Sequence, residues 1–174
     1  MGKALDIARF LVLCILLPAA VFAQKQTPEI SYPAIGSKLP SFEILLLDGE
    51  TIVNTGTINN NRPTVFLLFS PDCSHCAEIS LGLTQNISSF DSVNLCLLSA
   101  PLPIIAIKQF AARNKLLEFE QITVGQDIAF FFANFFHTKT VPFAALYDKN
   151  KKLVKILKEI KSVDELLSEL KVLK

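Results

Sequence analysis

Hydrophobic and polar positions along the chain alternate between two regimes. Short continuous apolar runs are separated by stretches whose apolar residues recur every three or four positions. "SFEILLLDGETIVN" (41–54) carries two apolar runs around Asp48-Gly49, a strong hairpin signature. "PTVFLLF" (63–69) and "SVNLCLLSA" (92–100) are unbroken runs of the length and composition of buried central strands. Between them, Ile79, Leu83 and Ile87 fall four apart, which predicts one buried helix face over residues 74–90. Pro101 and Pro103 open a second helix through about residue 117, with Ile104, Ile107 and Ala111 inward. A short strand near 121–124 precedes "GQDIAFFFANFF" (125–136), read as a helix whose phenylalanines pack on a sheet. "VPFAALYDKNKKLVKIL" (141–157) predicts two strands around an Asp148-Lys149-Asn150 turn. Ser162, followed three residues later by Glu165, predicts a capping box opening the last helix. The order is hairpin, β, α, β, α, β, α, β-hairpin, α. It predicts an α/β fold, a mixed central sheet flanked by helices on both faces.

Composition supports a packed domain. The chain has 174 residues, half of them hydrophobic and 19% charged, so global disorder is excluded. Net charge is +1, and the lysines after Lys149 alternate with apolar and acidic residues as on a solvated face. No basic patch marks a nucleic-acid partner. Lys3 and Arg9 precede "FLVLCILLPAAVFA" (10–23), which ends at Val21-Phe22-Ala23. The run is short for a bilayer span, and Pro18 interrupts it. Residues 1–23 therefore read as a cleaved secretory signal peptide, which places the mature chain in the periplasm or another extracytoplasmic space. An uncleaved anchor would be its sole membrane contact. Residues 24–33 read as an N-terminal arm and residues 34–174 as the folded domain.

Export leaves Cys73, Cys76 and Cys96 where disulfides persist, too few for a disulfide framework. Cys73-Ser74-His75-Cys76 follows a predicted strand and opens a predicted helix. Unpaired N–H groups and the positive dipole end at that point stabilise a thiolate. Cys73 would be the nucleophile, Cys76 one turn later could resolve a mixed disulfide, and His75 could lower the Cys73 pKa. A zinc site is the first rival, but it needs four ligands. Only Cys96 and His137 remain as soft ligands, so no metal and no cofactor is expected. A purely structural staple is the second rival, and it would close too short a loop to stabilise much.

These residues resemble the thioredoxin fold, and within it the TlpA/ResA-like exported thiol–disulfide oxidoreductases of the redoxin superfamily. The resemblance spans roughly residues 34–172. It rests on "IGSKLPSFEILLLDGETI", "VFLLFSPDCSHCAEI" and "FFHTKTVPFAALYDKNKKLV". It implies a thioredoxin-like three-layer α/β/α sandwich with an N-terminal hairpin and a central βα insertion. Cys73 would be the attacking and Cys76 the resolving cysteine. Pro142, after Val141, corresponds to the cis-proline beside the disulfide. The Val141 backbone would pair with an extended partner segment. Partners would be protein thiols and disulfides, together with an envelope redox protein, met by a monomer. The chain departs from the pattern in having no tryptophan and in carrying Glu78 two rather than three residues after Cys76. Leu67 also stands where thioredoxin has a buried acid, leaving Asp72, Glu78 or water to move the Cys76 proton. His75 resembles the dipeptide of oxidising DsbA-type proteins. Two alternatives remain. A peroxiredoxin-like peroxidase would use Cys73 with Ser70, although Phe66 replaces the proline of that motif. A non-enzymatic module would dock a partner on the Phe-rich helix. Cys96, mid-strand, reads as a buried inert thiol.

Overall fold

Seven strands form one mixed sheet in the order β2-β1-β5-β4-β3-β6-β7. The computed structural model describes residues 32–58 and 61–173. The expected signal peptide, 1–23, and residues 24–31 of the arm lie outside the described residues. Strands β3 (Thr64–Phe69), β4 (Asn94–Ser99) and β5 (Ile122–Gln126) run parallel at the centre. Every residue of β3 is buried, as the unbroken apolar run predicts for a strand covered on both faces. β1 (Glu43–Leu46) and β2 (Ile52–Asn54) form the predicted hairpin, joined antiparallel to β5. On the other side β6 (Phe143–Tyr147) pairs antiparallel with β3, and β7 (Leu153–Leu157) with β6. The start of the folded domain runs along the β7 edge: Gly36 donates to the Leu153 carbonyl at 2.7 Å and Leu39 to the Lys151 carbonyl at 2.8 Å.

The period-two alternation along the strands splits the core into two layers. Val65, Leu67, Phe69, Leu95, Leu97, Ala144 and Leu146 face helices α1 (Ser74–Gln85), α2 (Ile104–Arg113) and α4 (Val163–Glu169). Phe66, Leu68, Cys96, Leu98, Phe143, Ala145 and Tyr147 face the short helix α3 (Phe131–Phe135) and the residues that lead into β1. The result is the three-layer sandwich expected, with β5 and α3 inserted between α2 and the C-terminal hairpin.

Helix boundaries differ from the periodic reading. The first helix stops at Asn86, whose backbone N–H donates to the Gly82 and Leu83 carbonyls, and a 3₁₀ turn over Ile87–Phe90 follows. The second stops at Asn114, because Lys115 takes a left-handed φ of 56° before the 3₁₀ turn Leu116–Glu118. Most of "GQDIAFFFANFF" is not helical. Gly125 and Gln126 complete β5, and only Phe131–Phe135 coil. Asp127 accounts for that shift. Its buried carboxylate accepts the Phe131 and Phe132 backbone N–H groups at 2.9 and 2.7 Å, so the helix starts there. Phe132 and Phe136 pack on the sheet beside Phe143, whereas Phe130 is 47% exposed. The capping box at Ser162 does not form. Its side chain makes no cap bond, and Glu165 instead accepts the Lys161 N–H at 2.9 Å.

Candidate redox site

The site lies at the C-terminal end of β3, where the chain turns through Ser70-Pro71-Asp72 into α1. Cys73 is the N-cap residue of that helix, with extended backbone angles of φ −88° and ψ 108°. Its backbone N–H donates to the Ser70 carbonyl at 3.1 Å, and its carbonyl accepts from Ala77 at 3.1 Å. Its Sγ accepts the Cys76 backbone N–H at 3.0 Å. Sulfur thus takes the part that a Ser or Asp oxygen plays at an ordinary N-cap. Cys73 and Cys76 are joined in a disulfide with their Cα atoms 5.2 Å apart. Cys76 is fully buried, while Cys73 is half-buried. The two residues therefore differ in exposure, and the more exposed one sits at the positive end of the helix dipole.

Both ring nitrogens of His75 are engaged by groups other than the cysteine sulfurs. Its Nδ1 lies 3.1 Å from Glu78 Oε2, and its Nε2 lies 2.6 Å from the Ile160 carbonyl oxygen. The hydrogen bond to Glu78, then that to Ile160, hold the imidazole pKa above the ordinary 6.5 against the opposing cost of burial. Asp72 is exposed, and Glu78 is committed to His75. Leu67 lies buried in the same apolar layer as Cys76, so no carboxylate fills that position.

The Val141–Pro142 peptide bond is cis, the geometry the resemblance implies. Val141, Pro142 and His75 line one cavity of about 360 Å³ with Thr140 and the loop Lys158–Lys161. Sequence residues 66 positions apart thus share one concave surface. Val141 also borders a second, mostly apolar cavity of about 400 Å³, together with Ser70, Leu102 and Phe130. Cys96 is remote from this chemistry in character. It is buried in the opposite core layer, and burial pushes its thiol up to about 12. Among the described residues, no group of three or more His, Cys, Asp or Glu side chains is placed to share a metal ion. No helix among them is long and apolar enough to cross a membrane.

Of the two groups that hold His75, one escaped the sequence. Glu78 was legible, since a residue three positions after His75 shares its helix face. The Ile160 carbonyl was not, because a backbone acceptor 85 residues away leaves no side-chain pattern.

The fold is thioredoxin-like. A secreted Mycobacterium tuberculosis disulfide oxidoreductase, described as homologous to E. coli DsbE, superposes with a TM-score of 0.63. It is 16% identical over 75% of this chain and 95% of that one. The thioredoxin domain of a thiol-disulfide oxidoreductase from Bacteroides vulgatus gives 0.64 at 16% identity, covering 80% and 97% of the two chains. A yeast mitochondrial 1-Cys peroxiredoxin gives 0.66 at 17% identity, covering 81% and 76%. No family model and no curated protein matches the sequence.

Proposed function

We propose that this protein is a thiol–disulfide oxidoreductase that exchanges disulfides with protein partners outside the cytoplasm. The observation that carries the reading is the half-buried Cys73 at the N-terminus of α1, bonded to a fully buried Cys76 one turn later. In the reduced protein the Cys73 thiolate attacks one sulfur of a partner disulfide. A Cys73–partner bond forms, the partner bond breaks, and the departing partner sulfur leaves as a thiolate and takes up a proton. Cys76 then loses its proton to water and attacks Cys73 Sγ. The intramolecular disulfide forms, the second partner sulfur leaves, and two electrons have passed from this protein to its partner. Run backwards, the same steps oxidise a partner dithiol.

Around that chemistry His75 supplies positive charge at the helix start. Val141 and Pro142 form the wall along which an extended partner segment would lie, with the Val141 backbone as its hydrogen-bonding edge. The extracytoplasmic location rests on the expected signal segment and agrees with a structural neighbour described as secreted.

The test measures insulin-disulfide reduction and peroxide consumption by the wild type, Cys73→Ser and Cys76→Ser. Both substitutions should abolish disulfide turnover, and Cys76→Ser should accumulate a mixed disulfide with its partner. Peroxide turnover equal in Cys76→Ser and wild type would replace this reading with a one-cysteine peroxidase. Partner binding untouched by Cys73→Ser, with no turnover of either substrate, would replace it with a docking module.

A further inference from the structure

Glu78 sits on the exposed face of α1, one turn after His75, and its carboxylate meets the ring at Nδ1. The other ring nitrogen meets a backbone carbonyl, that of Ile160, in the loop between β7 and α4. Both neighbours are acceptors. A neutral imidazole has a single N–H and can donate to only one of them, whereas the imidazolium donates to both. The arrangement therefore selects the cation by geometry. The other charged residues that line the two cavities bordered by His75 are, among the described residues, Lys158, Glu159 and Lys161 of the same loop. Two of these three oppose a second positive charge, which makes Glu78 the principal partner of the imidazolium.

The bond to Ile160 has a consequence for the groove. Lys158–Lys161 forms one side of the cavity whose other side is Thr140-Val141-Pro142. His75 is the residue of α1 that lines this cavity, and its Nε2 ties the helix to that loop. A ring that donates through both nitrogens fixes the loop, the active-site helix and a positive charge in one arrangement.

We infer that Glu78 is a positioning residue for the Cys73–Cys76 chemistry: it orients His75 and holds it as a doubly donating cation, which pins the Lys158–Lys161 loop to the start of α1. This rests on the reading that Cys73 is the reacting sulfur. The position of Glu78 two residues after Cys76 is then explained by its distance from His75 rather than from either cysteine. Because the His75 and Glu78 side chains are 41% and 74% exposed, water screens the pair. The expected effect of removing the charge is about a twofold to threefold loss in the proton affinity of His75.

The experiment follows the His75 ring protons by NMR against pH in the disulfide form of the full chain, for wild type and Glu78→Gln. It then measures the pH dependence of Cys73 attack on a small aromatic disulfide in both proteins, and again in the His75→Asn background. Glu78→Gln should lower the His75 midpoint and shift the wild-type rate profile by the same factor. In the His75→Asn background it should change nothing, since the pair no longer exists. An unchanged His75 midpoint, or an equal rate effect in both backgrounds, overturns the assignment. If Cys73 proves unreactive, the oxidoreductase reading fails, while the His75 titration still decides whether Glu78 controls that ring.

Discussion

Cys73 Sγ accepts the backbone N–H of Cys76 at 3.0 Å, so the sulfur of one cysteine caps the helix that carries the other. A helix start is a place where negative charge is stabilised, and a thiolate is a better acceptor there than a thiol. In the reduced protein Cys73 should therefore titrate below the ordinary thiol value of about 8.5. Thiolate absorbance against pH, compared with Cys73→Ser, measures this. An ordinary midpoint for Cys73 would remove the basis of the proposed mechanism.

The raised pKa of His75 makes part of the stability dependent on pH. The folded state binds this proton more tightly than the unfolded chain does. That contribution is complete below the ordinary value of 6.5 and is lost as pH rises through the folded value. The urea midpoints of wild type and His75→Asn should accordingly differ more at about pH 5.5 than at about pH 9. A difference that grows with pH would contradict the hydrogen-bonded geometry of the ring.

Two glycines are places where elements touch without room for a side chain. At Gly125 in β5 an added Cβ would stand 2.7 Å from the Leu45 carbonyl oxygen and would also meet the Ile44 side chain of β1. Backbone cannot move aside as a flexible side chain can, so Gly125→Ala should cost about 1–3 kcal/mol in chemical denaturation. At Gly82 the added atom would lie 2.8 Å from Val163 Cβ on α4. There the better helix propensity of alanine, worth about 1 kcal/mol, offsets part of the crowding. Gly82→Ala should therefore be the milder of the two.

Cys96 should be chemically silent in the native protein. Burial, partly offset by the charge of Lys151, leaves its thiol protonated at neutral pH, and only 2% of the residue is exposed. After reduction, alkylation near neutral pH should modify Cys73 and spare Cys96. Mass mapping should find the Cys96 adduct only after denaturation. Native labelling of Cys96 would show that the core layer around Phe66 and Tyr147 opens.

Much of this protein is written locally. Strands β3 and β4 were legible because a strand buried on both faces needs an uninterrupted apolar run, and the chain supplies two. The hairpin at Asp48-Gly49 was legible because Gly49, at φ 81°, takes a backbone angle few other residues tolerate. The cysteine pair was legible because two sulfurs one helical turn apart, after a strand, have few other uses. Helix ends were less so. Nothing in the spacing of Ile104, Ile107 and Ala111 reveals that Lys115 turns left-handed, or that a buried Asp127 delays the start of α3.

Sequence periodicity and residue chemistry determined the layers of the sandwich and the cysteines at one helix start, because burial and helix geometry act over a few neighbouring residues. Tertiary structure alone decided which distant groups surround them. The Ile160 carbonyl on His75, the Val141–Pro142 wall and the Leu45 carbonyl against Gly125 all depend on how separate strands are brought side by side. Those meetings are set by packing the whole sheet, and no short stretch of chain encodes them.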